Sequence, residues 1–135
     1  MTQHTRRALT LMAMAVAPAC FPIHVRADVD LLSQARLAAV DGRHAECAAK
    51  ADEARRQPNA VWHAQHVFAT CQVFSADARR KEIGEVAYAV EVGKAIGALE
   101  LLLSTPGLLA MQEQRDSVQY QVQLLRERIA NPPAD

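Results

Sequence analysis

The amino-acid sequence predicts an all-α protein of about five helices, packed as antiparallel hairpins that are either repeat-like or part of an irregular bundle. Apolar residues recur at intervals of three and four along most of the chain, which is the period of a helix with one buried face. Beyond residue 27, proline occurs only at positions 58, 106, 132 and 133, always where such a stretch ends. Two Ala-rich helical patterns also flank the short break at residues 57–59, which predicts that these two helices form an antiparallel hairpin.

The first 27 residues have the pattern of a secretory signal peptide. A short positive region ends at Arg7, an apolar stretch covers residues 8–17, and Val25 and Ala27 are small residues at the minus-three and minus-one positions of a cleavage site. We expect cleavage after Ala27, which leaves residues 28–135 as a single helical domain in the periplasm or outside the cell.

Two other ways of processing the amino terminus fit the residues. Cleavage after Ala19 is one, because Ala17 and Ala19 also form a small-x-small site. The other makes Cys20 a lipid-modified first residue, and the protein would then be an anchored assembly factor of a secretion machine. A membrane is an expected partner only in that second case.

The predicted mature chain carries a slight excess of acidic side chains. Removing residues 1–27 removes three arginines and no carboxylate, so 15 basic side chains become 12 while the 15 acidic ones remain. Affinity for nucleic acid depends on Lys and Arg that neutralise phosphates. The charge balance therefore argues against a nucleic-acid partner.

The first two predicted helices follow the cleavage site. Asp28 and Asp30 supply carboxylates to the first turn, and the first helix ends at Gly42, since glycine readily adopts the left-handed conformation that closes many helices. The second helix is predicted over residues 43–56. The positions expected to be buried are Leu31, Leu32, Ala35, Ala38 and Ala39 on the first helix, and Cys47, Ala48, Ala51 and Ala54 on the second.

A disulfide bond between Cys47 and Cys71 is the next expectation. Each cysteine lies twelve residues from Asn59, so a rise of about 1.5 Å per residue places the two sulfurs at nearly the same height on facing helices. They are also the two cysteines of the predicted mature chain, and an even number in an oxidising compartment favours pairing.

Residues 35–59 resemble one tetratricopeptide repeat. The stretch reads AxxxxxxGRxxECxxKAxxARxxPN, with small residues along both helices, Gly-Arg at the turn and a proline at the end. In that family two helices form a hairpin, and the hairpins stack into a right-handed superhelix whose concave side binds peptides or protein segments. The resemblance implies a protein-binding role, and an ordinary antiparallel pair of helices with a glycine turn is the alternative.

The third predicted helix covers residues 60–74, and the break at residues 75–77 separates it from a fourth over residues 77–103. The core positions expected on the third helix are Ala64, Val67, Phe68, Cys71 and Phe74. Those expected on the fourth helix are Ile83, Val86, Ala87, Val90, Ile96, Leu99, Leu102 and Leu103. Whether these two helices form a second repeat stays open.

The fourth predicted helix contains Gly84, Gly93 and Gly97, each of which costs about 1 kcal/mol in a helix interior. Either the Gly93 and Gly97 pair gives a smooth patch for close packing, or the helix kinks at Gly84 or Gly93. A turn at residues 104–107 then leads to a fifth predicted helix over residues 108–130. Its expected buried positions are Met111, Val118, Val122, Leu125 and Ile129.

The sequence contains no motif that indicates catalysis, so we expect a protein that is not an enzyme and binds no cofactor. No serine lies in a GxSxG elbow, and no glycine-rich phosphate loop is present. His63 and His66 are three residues apart and could share a metal ion, but no third ligand is evident and no metal site is predicted. Solvated surface histidines are the simpler interpretation.

The expected function is that of an exported adaptor that binds a protein or peptide segment. Trp62, His66 and Val73, with Ala69 between them, lie along a face of the third predicted helix that differs from its core face. Aromatic residues concentrate binding energy at interfaces, so this face is the candidate partner-binding site. Two alternatives stay open: a later helix covers this face, or the protein is a helix-bundle ligand or metal binder near His63 and His66.

Overall fold

Four α-helices make up the fold in the computed structural model, which describes residues 27–58 and 60–134. They are α1 (Ala27–Val40), α2 (His44–Arg55), α3 (Trp62–Ser104) and α4 (Gln112–Ala130). Helices account for 82% of these residues, and no strand occurs among them, so the all-α prediction is confirmed. Residues 1–26 of the predicted signal peptide, which include the alternative lipidation site at Cys20, lie outside the described residues.

α1 and α2 form an antiparallel hairpin around the glycine turn expected at Gly42. Gly42 has a φ of 74°, and the amides of Gly42 and Arg43 donate hydrogen bonds of 3.0 and 2.8 Å to the carbonyls of Ala39 and Ala38. These bonds close the end of α1 and turn the chain into α2. The predicted buried stripe is confirmed on α2, where its four positions are Cys47, Ala48, Ala51 and Ala54.

The predicted disulfide is present between Cys47 on α2 and Cys71 on α3. Their Cα atoms are 5.8 Å apart, and both side chains are buried. The bond therefore ties the α1–α2 hairpin to α3 within the hydrophobic core.

The break predicted at residues 75–77 is wrong. Ser75 and Ala76 are buried in a continuous helix, and neither residue type stops a helix as proline does. The chain changes direction instead at Gly84, whose φ of 82° and ψ of 167° belong to a region that only glycine adopts without strain. Of the expected alternatives, the kink at Gly84 is confirmed. We call residues 62–83 the first arm of α3 and residues 85–104 its second arm.

The kink changes which residues of the second arm are buried. Val86, Ala87 and Val90 were expected in the core but are exposed, Val86 by 84%. Tyr88 and Val92 are buried in their place, and the expected Ile96, Leu99 and Leu102 are confirmed. The reason is that the non-helical angles at Gly84 rotate the second arm about its own axis, so the first apolar positions after the kink no longer continue the buried face of the first arm.

Gly93 and Gly97 lie on the exposed side of the second arm. Both have helical angles, and a Cβ atom at either position would meet nothing within 4 Å. The expected close packing against this glycine pair is therefore wrong for the described part of the chain.

α4 starts at Gln112 rather than at residue 108, because Gly107 has a φ of 79° and the following residues are not helical. Leu109 in this connection is buried. Met111 was expected in the core, but it is 56% exposed. The other positions expected on α4 do face α3, with Val118 and Val122 buried and Leu125 and Ile129 partly buried. No helix in the described part of the chain is long and apolar enough to cross a bilayer.

Candidate partner-binding groove

The predicted partner-binding residues lie on the face of the first arm that turns towards α4. Trp62 and His66 line a pocket of about 260 Å³ between the two helices. Val73 lines a neighbouring pocket of about 220 Å³. Because Gln121 of α4 lines both pockets, we describe them together as the α3–α4 groove. Helix α4 thus lies along the predicted face, where it leaves a pocket towards each end, while Ala69 between them is buried.

Trp62 is held in place by two histidines. Its ring is stacked on His63 with 3.8 Å between the centroids, and its edge contacts His66 at 6.1 Å. The tryptophan is half-buried, so it is neither a core residue nor a free surface side chain.

His66 is also half-buried, and Gln121 hydrogen-bonds its side chain. Burial lowers the pKa of His66, and the nearby His63 lowers it further, while the bond to Gln121 acts in the opposite direction. A neutral imidazole has one donor and one acceptor, and because the bond to Gln121 uses one of them, one is left for a partner. Within the described residues, no three His, Cys, Asp or Glu side chains come together in a way that could hold a metal ion.

The lowered pKa of His66 predicts a loss of stability in mild acid. The unfolded chain has an ordinary histidine pKa near 6.5 and binds more protons than the folded protein below that pH, so the free energy of unfolding decreases as the pH falls through about 6.5. Urea unfolding between pH 7.5 and 5 should show a smaller decrease in His66→Gln than in the wild type.

His63→Gln is the matched control for this measurement. It keeps the burial of His66, which is the largest cause of the lowered pKa, so most of the wild-type decrease should remain. An unchanged pH dependence in His66→Gln would contradict the assignment to His66.

The other end of the groove is mainly apolar. Val73 and Leu125 are partly buried there, whereas Phe74 is 52% and Leu124 is 44% exposed. Phe74 was expected in the core, but its side chain is turned away from it, and its ring is stacked on His44 with 5.2 Å between the centroids. An apolar side chain of a partner could pack between these walls.

Polar contacts at the α3 corner hold α4 against this end of the groove. The hydroxyl of Tyr88 donates a 2.7 Å hydrogen bond to Asp77, and Arg128 of α4 forms a 3.0 Å ion pair with the same carboxylate. Burial raises the pKa of Tyr88, and the bond to Asp77 raises it further. The guanidinium of Arg80 lies 4.1 Å from the centre of the Tyr88 ring and pairs with Glu85 across the kink.

Sequence reasoning missed this cluster because its members are far apart in the chain. Asp77 and Arg128 are separated by 51 residues, and no local spacing links them. The one local signal is Gly84. A kink at this glycine was one of the two expected alternatives, and it brings the two arms of α3 together.

These features define a small all-helical protein with a cross-linked hairpin and a partly open apolar groove. No family model, no curated protein and no solved structure matches this chain. The resemblance of residues 35–59 to a tetratricopeptide repeat therefore stays a prediction.

Proposed function

We propose that this protein is an exported interaction module that holds a segment of another protein in the α3–α4 groove. The observation that carries the proposal is the position of Phe74 and Leu124. Both are large apolar side chains, both stay about half exposed, and they border one pocket together with Val73 and Leu125. Grouped apolar exposure of this kind is typical of a binding surface, whereas scattered exposed apolar residues are normal.

The division of the groove favours a protein segment over a small molecule. Its two pockets measure about 220 and 260 Å³, and neither one alone reaches the roughly 300–1,000 Å³ of most small-molecule sites. Trp62 and Val73 mark its two ends, eleven residues or about 16 Å apart along the first arm. That length suits three turns of an amphipathic helix or about five residues of extended chain.

Export is supported by two independent features. The Cys47–Cys71 bond belongs to the kind of cross-link that persists in oxidising compartments. Residues 1–27 have the signal-peptide pattern described above. The proposed location is therefore the periplasm or the extracellular space.

A photo-crosslinking experiment tests the proposed groove. A benzophenone amino acid is placed at Leu124, which lines the groove, or at Tyr120, which is 62% exposed one turn earlier on α4 and lines neither pocket. Irradiation in a periplasmic extract should give a discrete adduct from position 124 and none from position 120. Equal adducts from both positions, or none from either, would contradict the proposal.

Mass spectrometry of the adduct identifies the partner protein. A charge substitution in the groove then gives a second, independent test of where that partner binds. Leu124→Glu should weaken binding of that partner by about tenfold or more, because a carboxylate in an apolar contact is costly to desolvate. Tyr120→Glu is the matched control and should bind as the wild type does. Circular dichroism should show an unchanged helix content in both variants. Leu124 is already 44% exposed, so its replacement should leave the fold intact.

A further inference from the structure

A second groove lies between α2 and α3, and no residue of α4 lines it. It is bounded by α2 and by both arms of α3, and its volume is about 350 Å³. Small side chains form its floor on α2, namely Ala45, Ala48 and Ala49. Phe68, Gln72 and Ser75 of the first arm form the facing wall. We call it the α2–α3 groove, and nothing described so far uses it.

Four cationic side chains line the α2–α3 groove, and they form two pairs. Arg55 and Arg56 share the carboxylate of Asp52, each at 2.6 Å. Lys94 and Arg79 share the carboxylate of Glu91, at 2.8 and 3.9 Å. Two carboxylates therefore face four cations, and the groove keeps a surplus of two positive charges.

This surplus contrasts with the rest of the chain. Residues 28–135 contain 12 basic against 15 acidic side chains, so a third of these cations gather around one groove although this stretch is net acidic. Among the described lining residues, Asp52 is the only carboxylate. A local field of this sign attracts an anionic partner and orients it on approach.

The two pairs lie towards different ends of the groove. Arg56 is at the carboxyl end of α2, whereas Arg79 lies near Ala45 at the other end and donates a hydrogen bond to the carbonyl of Ser75. Ala45 and Arg56 are eleven residues apart, which is about 16 Å along the helix. A single phosphate or sulfate ion is too small to reach both ends, whereas an extended chain of about five residues spans this length.

We infer that the α2–α3 groove binds an acidic extended segment of a partner protein. Carboxylates of that segment pair with Arg56 at one end and with Lys94 near the other. Both cations have accessible charged groups, since the two side chains are 70% and 54% exposed despite their ion pairs. The alanine floor lets the backbone of the segment lie close to α2, because methyl groups leave room for a main chain.

Fluorescence anisotropy with the full mature protein tests this inference. The probe is a labelled ten-residue peptide of alternating glutamate and alanine, and the control peptide has glutamine in place of glutamate. The glutamate peptide should bind and the glutamine peptide should not, and binding should weaken as the salt concentration rises. Similar binding of both peptides, or of neither, would overturn the inference.

Matched double variants locate the binding site. Arg56→Gln with Lys94→Gln removes one cation from each pair and should raise the Kd of the glutamate peptide by about tenfold. Arg36→Gln with Lys81→Gln removes two exposed cations that do not line the groove and should change the Kd by less than about twofold. Equal effects of the two double variants would show that only net charge matters and would overturn the inference.

Competition experiments test whether the α2–α3 groove binds a different kind of anion instead of an acidic segment. Inorganic phosphate and vesicles with one-fifth phosphatidylglycerol should not displace the glutamate peptide at matched ionic strength, and displacement by either would assign the groove to a different anion. Leu124→Glu, which disrupts the α3–α4 groove, should leave binding of the glutamate peptide unchanged. The proposals for the two grooves can therefore be confirmed or contradicted separately.

Discussion

Replacing both Cys47 and Cys71 by alanine is expected to lower the free energy of unfolding by about 3 kcal/mol. The bond closes a loop between residues 24 positions apart, and the unfolded chain gains the corresponding entropy when the bond is removed. For a domain of this size, the melting temperature should fall by more than about 10 °C. Urea unfolding and thermal melts followed by circular dichroism measure both quantities.

Reductant provides the control for this prediction. Dithiothreitol should lower the stability of the wild type towards that of the double alanine variant and leave the variant itself unchanged. A wild-type protein whose stability does not respond to reductant would show that the bond is absent or does not stabilise the fold.

The second large effect is expected at Gly84. Gly84→Ala should lower the free energy of unfolding by about 1–3 kcal/mol, because alanine is strained at a φ of 82° and a ψ of 167°. A Cβ atom at this position would meet nothing within 4 Å, so the loss comes from the backbone alone. Urea unfolding of the purified variant measures it.

Gly93→Ala is the matched control, with the opposite expected sign. Gly93 is helical and equally free of neighbours, so alanine should raise the free energy of unfolding by about 0.5–1 kcal/mol. If both substitutions changed stability in the same direction, the conformation assigned to Gly84 would be wrong.

The corner at Gly84 matters for both proposed binding sites. The second arm supplies Leu99 to the α3–α4 groove and Lys94 to the α2–α3 groove. Its orientation relative to the first arm is held by the contacts of Tyr88 with Asp77 and Arg80. A change of the backbone angle at residue 84 would therefore move one wall of each groove.

The sequence by itself determined the α1–α2 hairpin and its link to α3. Gly42 marks the turn, the alanines of α2 mark its buried stripe, and equal spacing from Asn59 indicates that Cys47 meets Cys71. These features can be predicted from the sequence because each depends on residues close together in the chain. The same holds for the shared face of Trp62, His66 and Val73, which follows from helical spacing within the first arm.

Only the tertiary structure decided how the second arm is buried. A helical pattern assumes a constant rotation per residue, and the angles at Gly84 interrupt it, so Tyr88 and Val92 enter the core while Val86 and Val90 stay exposed. The sequence shows that a glycine permits a kink. It does not show the angle, which depends on the packing of the two arms.

The tertiary structure likewise decided the form of both grooves. The predicted face of the first arm is half covered because Gln121 lies across its middle, and α4 reaches it from more than 45 residues away in the chain. The α2–α3 groove combines Arg56 from α2, Arg79 from the first arm and Lys94 from the second. Charges on three separate helical segments add up only after packing brings them together, because electrostatic attraction depends on distance in space rather than along the chain.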